Sequence, residues 1–565
     1  MRPAGEVLPR RVTAPFAVFL ALALVGAALA PYGYAAWLVI VELAAFSFVA
    51  WLAASVGGAL LPRVAAGLSL VAVATSGWAG AQRAAGVLRP HAGFLNPNHL
   101  AAWLVAVLFV AGGVALARGT KARVAYAVLA ATALVPLVLV GSRAAAIGVI
   151  AGAAVALVAG GARRALVAGL CGLVLAVGLG VALRFRVHDP FGFSRTAIWR
   201  ASLAAVANDP LWGTKPGQFE TASANLSFPL EGRPLRFERA FGTPHSDLLR
   251  APCEFGLPAT LAILAALVGA VVSVRRRLSA ELPPEQVGAL AAVASIVAQG
   301  AVGDLSEAPA IYILGAALIG ALLAEPRGPV ATTSGRLALA AAVVLLVVFA
   351  VGEVAPYRAW SIQVRLPRGA LDAAQRRELD RATAMNPWHP DLRLRRVADL
   401  LAASSSWTLA DYAAARDAAE TATRLDPRSK SGWSALAHVE GSACLNLFRD
   451  VATRERAERA FARAAACARH DPFIPLDAAR FLLAAGDPVG ARRQAERALA
   501  IEPNAIPARL VLATAVERAG GGDAAARAAA LRAEAAELAR RFASEPKESP
   551  YALRLLTLDA PAGGD

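Results

Sequence analysis

Residues 98–123 read NHLAAWLVAVLFVAGGVALARGTKAR. From 98 to 117 the stretch holds no Asp, Glu, Lys or Arg, and then Arg118, Lys121 and Arg123 follow within six residues. Twenty predominantly apolar residues in a helix, at about 1.5 Å each, match a hydrocarbon core about 30 Å thick. A cationic cluster directly after such a stretch marks the cytoplasmic end of a span. This stretch sets the pattern for the N-terminal three-fifths of the chain.

Apolar runs of similar length recur at 14–30, 34–54, 64–80, 122–141, 144–160, 165–184, 254–274, 286–303, 309–324 and 337–353, which predicts about eleven membrane helices. Backbone polar groups in lipid must be satisfied within the segment, so runs of this length are helical. Composition agrees: 57% of the 565 residues are hydrophobic, 17% are charged, and the mean hydropathy is +0.52. A soluble chain could not bury that much apolar surface. The first run ends in Ala28-Leu29-Ala30, which looks like a signal-peptide cleavage site. Pro31 and the prompt start of the next run favour a retained helix.

The net charge of +16 follows membrane topology rather than a nucleic-acid surface. Arg2, Arg10, Arg11, Arg63, the 118–123 cluster, Arg163, Arg164, Arg275–Arg277, Arg327 and Arg336 all fall on one alternating set of connections, 14 cations against 3 in the short loops of the other set. No basic stripe with interleaved aromatics is present, and nucleic acid is not expected as a partner. The basic set is cytoplasmic, so residues 81–97, 141–143, 185–253 and 304–308 lie outside. With an odd number of spans, everything after 353 is outside as well.

After a linker at 356–370 the pattern changes to short amphipathic helices over 371–543. The breaks Asn386-Pro387, Asp426-Pro427, Asp471-Pro472 and Glu502-Pro503 are each preceded by an Ala-rich helix. Proline cannot continue the helical ladder, and this punctuation is that of tetratricopeptide-like repeats. The spacings of 40, 45 and 31 residues mark an irregular array. The fold class is therefore all-α: a polytopic bundle (residues 1–355) followed by an α-solenoid, with 544–565 expected to be disordered. The repeats offer a concave face to a protein partner, or serve as a spacer. Cys444 and Cys467 are predicted too far apart along adjacent helices to form a disulfide.

The long outer loop 185–253 is where chemistry is expected. It contains FSRTAIWRASLAAVANDPLWGTKPGQFE and, further on, TPHSDLLRAPCEFGLPA. Three polar residues near the outer face stand out: Arg143 in GSRAAA, Arg195 in FSRTAIW and His245 in PHSDLL. Singly, an arginine at a span end is a snorkelling anchor, His245 a hydrogen-bonding loop residue and Asp247 a helix cap. Asn98 reads as a packing residue. As an ordered set, together with GFLNPNHLAAWL, these stretches resemble the O-antigen ligase and polymerase superfamily of membrane glycosyltransferases over residues 90–325. His245-Ser246, nine residues, then Gly256 fits the family's ligase motif, although Ala259-Thr260 stands where that motif has a double threonine.

The resemblance implies transfer of a glycan from an undecaprenyl-diphosphate carrier to an acceptor hydroxyl outside the bacterial inner membrane, with inversion and with neither metal nor cofactor. Acceptors open to such an enzyme are a growing glycan, lipid A-core or a protein. Arg143 and Arg195 would hold the diphosphate by bidentate contacts, and His245 would be the general base, an imidazole's ordinary pKa lying near working pH. Arg200, Lys215, Arg236 and Arg239 are further cations for diphosphate or sugar. The competing reading from another class is a non-enzymatic membrane-anchored repeat scaffold. A transporter is disfavoured by the scarcity of ionisable groups within the spans.

Overall fold

The computed structural model describes residues 8–94, 96–160, 195–230, 233–237, 242–275, 282–324, 354–367, 369–544 and 549–557, plus a few helical residues in 173–182 and 340–347. Among them the fold is helical with no strand. The chain divides into two compact units. One comprises Met1–Ala27, Val39–Pro216 and Thr243–Val347, and the other Ala28–Leu38, Gly217–Gly242 and Val348–Asp565.

Helices occupy nine of the expected spans, Gly33–Val56 straddling the division between the units: Arg10–Ala28, Gly33–Val56, Leu61–Ala84, Pro97–Ala117, Thr120–Val140, Arg143–Gly160, Asp247–Arg275, Pro284–Ala301 and Pro309–Leu323. The expected spans 165–184 and 337–353 lie largely outside the described residues. Pro97–Ala117 is the central helix, with Leu100 to Val110 buried on every side. Its start explains NPNH: the Asn96 side chain accepts from the Asn98 amide and Pro97 opens the first turn. Asn98 in turn accepts from Arg89, which also donates to the Val140 carbonyl, a packing role.

Helix Pro284–Ala301 packs against both Pro97–Ala117 and Arg143–Gly160. Gly148 lies against Gln299 and Gly152 against Ala291, so Arg143–Gly160 runs opposite to it. The beginnings of Pro97–Ala117 and Arg143–Gly160 therefore meet the end of Pro284–Ala301. That end of the bundle carries the candidate site.

The second unit is a succession of helix pairs joined by short turns, from Ala373–Met385 to Ala524–Arg541. Small side chains at the crossings, among them Ala415, Ala457, Ala491 and Ala495, are fully buried, which permits close helix approach. Asn386, Asp426 and Glu502 cap the helices that precede them, as the Pro-bounded breaks imply. Asp471-Pro472 differs. The helix before it ends at Cys467, and Pro472 instead opens Phe473–Ala484. The 45-residue spacing before it accommodates a π turn, Cys444–Phe448, added to the end of Lys430–Ala443. Cys444 and Cys467 are free thiols.

The tail expected to be disordered contains a helix, Pro550–Leu555. Ser549 caps it, and Ala552, Leu555 and Leu556 are buried. Its apolar face, too short to register as a periodic pattern, is stabilised by packing rather than by propensity.

Candidate functional site

The segment after Pro284–Ala301 turns sharply through Val302, Gly303 and Asp304, and the histidine motif is fastened to it. Ser246 Oγ donates to the Ala301 carbonyl at 2.7 Å, and the Asp247 amide donates to the Gly303 carbonyl at 3.0 Å. The Asp247 carboxylate is more than a local cap. It accepts from Ser306 Oγ at 2.5 Å and Tyr312 Oη at 2.8 Å. One turn on, Arg250 reaches Glu254, Ser306 and Glu307 at 3.1, 2.7 and 2.5 Å. Every polar side chain of HSDLLR thus grips residues 301–312 or its own helix.

This places His245 Nδ1 2.9 Å from an Asp304 carboxylate oxygen, with Thr243 Oγ1 donating to the same oxygen at 3.2 Å. The backbone of His245 is left-handed, φ +48°, a conformation that a non-glycine residue adopts only when its surroundings hold it there. An ionised carboxylate can only accept, so Nδ1 carries the proton and Nε2 presents its lone pair. His99, buried at the start of the central helix, places Nε2 3.1 Å from the Asp304 carbonyl oxygen and 3.7 Å from its carboxylate. Burial pushes the Asp304 pKa up, but hydrogen bonds from His245 and His99, and their charges, outweigh it and hold the carboxyl well below the usual range. The His245 side chain remains 40% exposed, accessible to a substrate.

The two signature stretches of the loop interlock behind this pair. Helix Asp247–Arg275 breaks at Gly256 (φ +78°), where a Cβ would lie 2.0 Å from the Leu211 carbonyl oxygen. Gly213 (φ +60°) makes the reciprocal approach to the Cys253 carbonyl. The Leu257 amide donates to Pro210 O and the Thr214 amide to Cys253 O, so NDPLWGT satisfies backbone groups freed by the break. The glycine that ends the histidine motif is there because the neighbouring main chain leaves no room for a side chain.

Arg195 begins helix Arg195–Asn208 and donates through a guanidinium nitrogen to the Val302 carbonyl. It therefore converges with His245 on residues 302–304. Arg143 is placed by local grammar: Gly141 ends the preceding helix in a left-handed cap, Ser142 Oγ accepts from the Ala145 amide, and Arg143 occupies the first helical turn. The positive end of a helix disfavours a cation, so helix stability does not account for an arginine there. It lies at the same end of the bundle as Asp304.

The weaker candidates separate. Lys215 (φ +77°) is engaged by Asp209 at 2.8 Å and fastens its own turn. Arg200 is exposed on helix Arg195–Asn208. Arg236 belongs to the repeat-containing unit, its guanidinium 5.6 Å from the Phe237 ring centre. Arg239 lies outside the described residues. Asp304 and His99 were not singled out from sequence. The only signal for Asp304 was an acidic residue in a short outer turn between two apolar helices. Among the described residues, no three His, Cys, Asp or Glu side chains gather as metal ligands.

Residues 127–264 match the family described as O-antigen ligase. The chain carries an O-antigen ligase domain. The matched region contains Arg143, Arg195, His245 and the Gly256 break, whereas Asp304 lies beyond its end. With its succession of apolar helices, the chain is a multi-pass membrane protein of ligase or polymerase type. No curated protein matches it. Among solved structures it is similar to the crystal structure of yeast Tom70, at 13% identity and a TM-score of 0.25, over 78% of this chain and 77% of that one. A likeness that slight carries no structural argument.

Proposed function

We propose that the O-antigen ligase domain transfers a glycan from an undecaprenyl-diphosphate carrier to an acceptor hydroxyl at the outer face of the bacterial inner membrane, for surface polysaccharide assembly. The observation that carries the reading is the His245–Asp304 pair, with Arg195 bound to the same turn. The acceptor oxygen attacks the anomeric carbon, the bond from that carbon to the carrier's phosphate oxygen breaks, and the diphosphate leaves with the electron pair. His245 Nε2 takes the acceptor proton while Asp304 keeps Nδ1 protonated and stabilises the imidazolium that forms. Arg195 and Arg143 neutralise the charge that grows on the leaving diphosphate. Direct displacement inverts the anomeric centre, and no step calls on a metal.

Outer placement of the repeats is supported by packing within their own unit. The Tyr32 amide donates to Gln218, and the Asn386 side chain donates to the Tyr34 hydroxyl. Residues 28–38 hold the first connection between spans, and 217–242 lie in the long loop, both on the side that the charge pattern puts outside. A domain shares the side of the membrane of the loops it holds.

A second acceptor, a protein, is favoured by the repeat unit itself. It forms an open cleft of about 1,020 Å³ lined by Asp391, Arg395, His438, Asp477, Arg480 and Tyr551 among others. Mixed charges and rings in a cleft of that size suit a peptide segment. Deletion of the gene tests the family of readings. Accumulated carrier-linked polymer indicates a ligase to lipid A-core, single repeats left on the acceptor indicate a polymerase, and an unmodified protein with normal polysaccharide indicates a protein acceptor. No change in any carrier-linked glycan would contradict all three.

A further inference from the structure

Part of the outer loop is built into the repeat unit, and a buried carboxylate lies at its centre. Glu502 is fully buried, and its two oxygens accept from the consecutive backbone amides of Arg236 and Phe237 at 2.8 and 2.6 Å. Nearby, Asn504 Nδ2 donates to the Pro234 carbonyl at 2.6 Å, Leu235 is buried against Leu476 and Ala505, and Phe237 stacks on His470 with ring centres 4.5 Å apart. Upstream, the Asn225 side chain donates to Cys467 O and accepts from the Arg469 amide.

The equivalent capping position two breaks earlier shows what is special about Glu502. At Asp426 the shorter carboxylate stays within its own turn, accepting from the Arg428 amide. Glu502 turns away from its own turn. Its partners are the two loop amides and the Tyr551 hydroxyl at 2.9 Å. A buried carboxylate is costly unless hydrogen-bonded, so without the loop this position would be unfavourable. The seat fits a bent segment bearing an apolar residue, then two consecutive amides offered to the carboxylate, the second from a residue with an aromatic ring. Leu235-Arg236-Phe237 supplies all three.

We propose that Glu502 is a positioning residue that seats loop residues 225–230 and 233–237 in the repeat unit and thereby supports transfer at His245, which follows Phe237 by eight residues in sequence. The repeats are then a working part of the transferase rather than a spacer. This rests on the transfer reading above, but the seat has a readout of its own.

The full-length protein in lipid nanodiscs is exposed to trypsin, for which the Arg236–Phe237 bond lies in the seated segment, whereas Arg233 is followed by Pro234 and is not cut. The same preparations are assayed for transfer from carrier-linked glycan. In Glu502→Ala, cleavage at Arg236 is expected to accelerate at least about tenfold, since two charge-assisted hydrogen bonds are lost. Transfer is expected to fall chiefly through a raised KM for the donor. Glu502→Gln keeps the side chain's shape but not two equivalent acceptors, and should be intermediate in both. Phe237→Ala leaves the repeat core intact and should loosen the segment, so it decides the matter if Glu502→Ala fails to fold. Wild-type cleavage rates in Glu502→Ala or Phe237→Ala would overturn the seat. Faster cleavage with unchanged kcat and KM would overturn the positioning role. Absence of transfer by the wild type would defeat the transfer reading while cleavage still decides the seat.

Discussion

His245 Nδ1 and the Asp304 carboxylate are 2.9 Å apart, joined across 59 residues that include a broken membrane helix and a second helix packed beside it. Ser246, Asp247 and Arg250 all bind the segment on which Asp304 sits. The geometry of the pair is therefore fixed by several contacts that take no part in the chemistry.

Asp304→Asn should leave the protein in the membrane and lower kcat by about 10²–10⁴-fold, the range in which a misoriented or wrong-tautomer imidazole places a His-dependent transfer. Steady-state transfer with purified protein checks this. A loss below threefold would remove Asp304 from the mechanism.

Arg195→Lys keeps the charge but not the planar fork. It should lose about 10-fold or more in kcat/KM, and Arg195→Ala about 10²–10³-fold. Arg143→Lys and Arg143→Ala should follow the same order. If lysine sufficed at both positions, the arginines would be acting as anchors at the membrane surface.

Gly256→Ala forces a Cβ to within 2.0 Å of the Leu211 carbonyl oxygen at a backbone φ of +78°. The substitution should cost about 2 kcal/mol or more, since the obstructing atom is main chain and the conformation is strained for any side chain. Thermal unfolding in detergent should show a lower midpoint. Transfer should fall with it, because the break is where the two loop signatures meet.

The pH dependence has a definite sign. The folded-state pKa of Asp304 lies below its ordinary value, so its contribution to stability is fully present above about pH 4 and is lost as pH falls further. The stability difference between wild type and Asp304→Asn should shrink as pH falls below about 4. Unfolding midpoints between about pH 4 and 2 measure it, and a difference that grows over that range would contradict the assignment.

Much of the fold was legible because its signals are local. Length and apolarity define a span, a cation cluster orients it, and Asn386, Asp426 and Glu502 with their following prolines close helices. Arg143, Arg195 and His245 stood out because each interrupts an apolar context with a polar group. Asp304 did not, since its role depends on a helix reversal that brings residue 304 to residue 245. The special character of Glu502 was hidden for the same reason. In sequence it is one of four similar helix endings, and only the loop segment laid against it distinguishes it. Pro550–Leu555 was missed because six residues carry no period.

The central claim is tested most directly by transfer in a defined system. Wild type and His245→Ala are placed in nanodiscs with carrier-linked glycan and a hydroxyl acceptor, and the release of carrier diphosphate and the glycosylated acceptor are followed together. Equal formation of both products by the wild type, reduced about 10²–10⁴-fold in His245→Ala with membrane insertion unchanged, is the predicted result. Full activity in His245→Ala would contradict it.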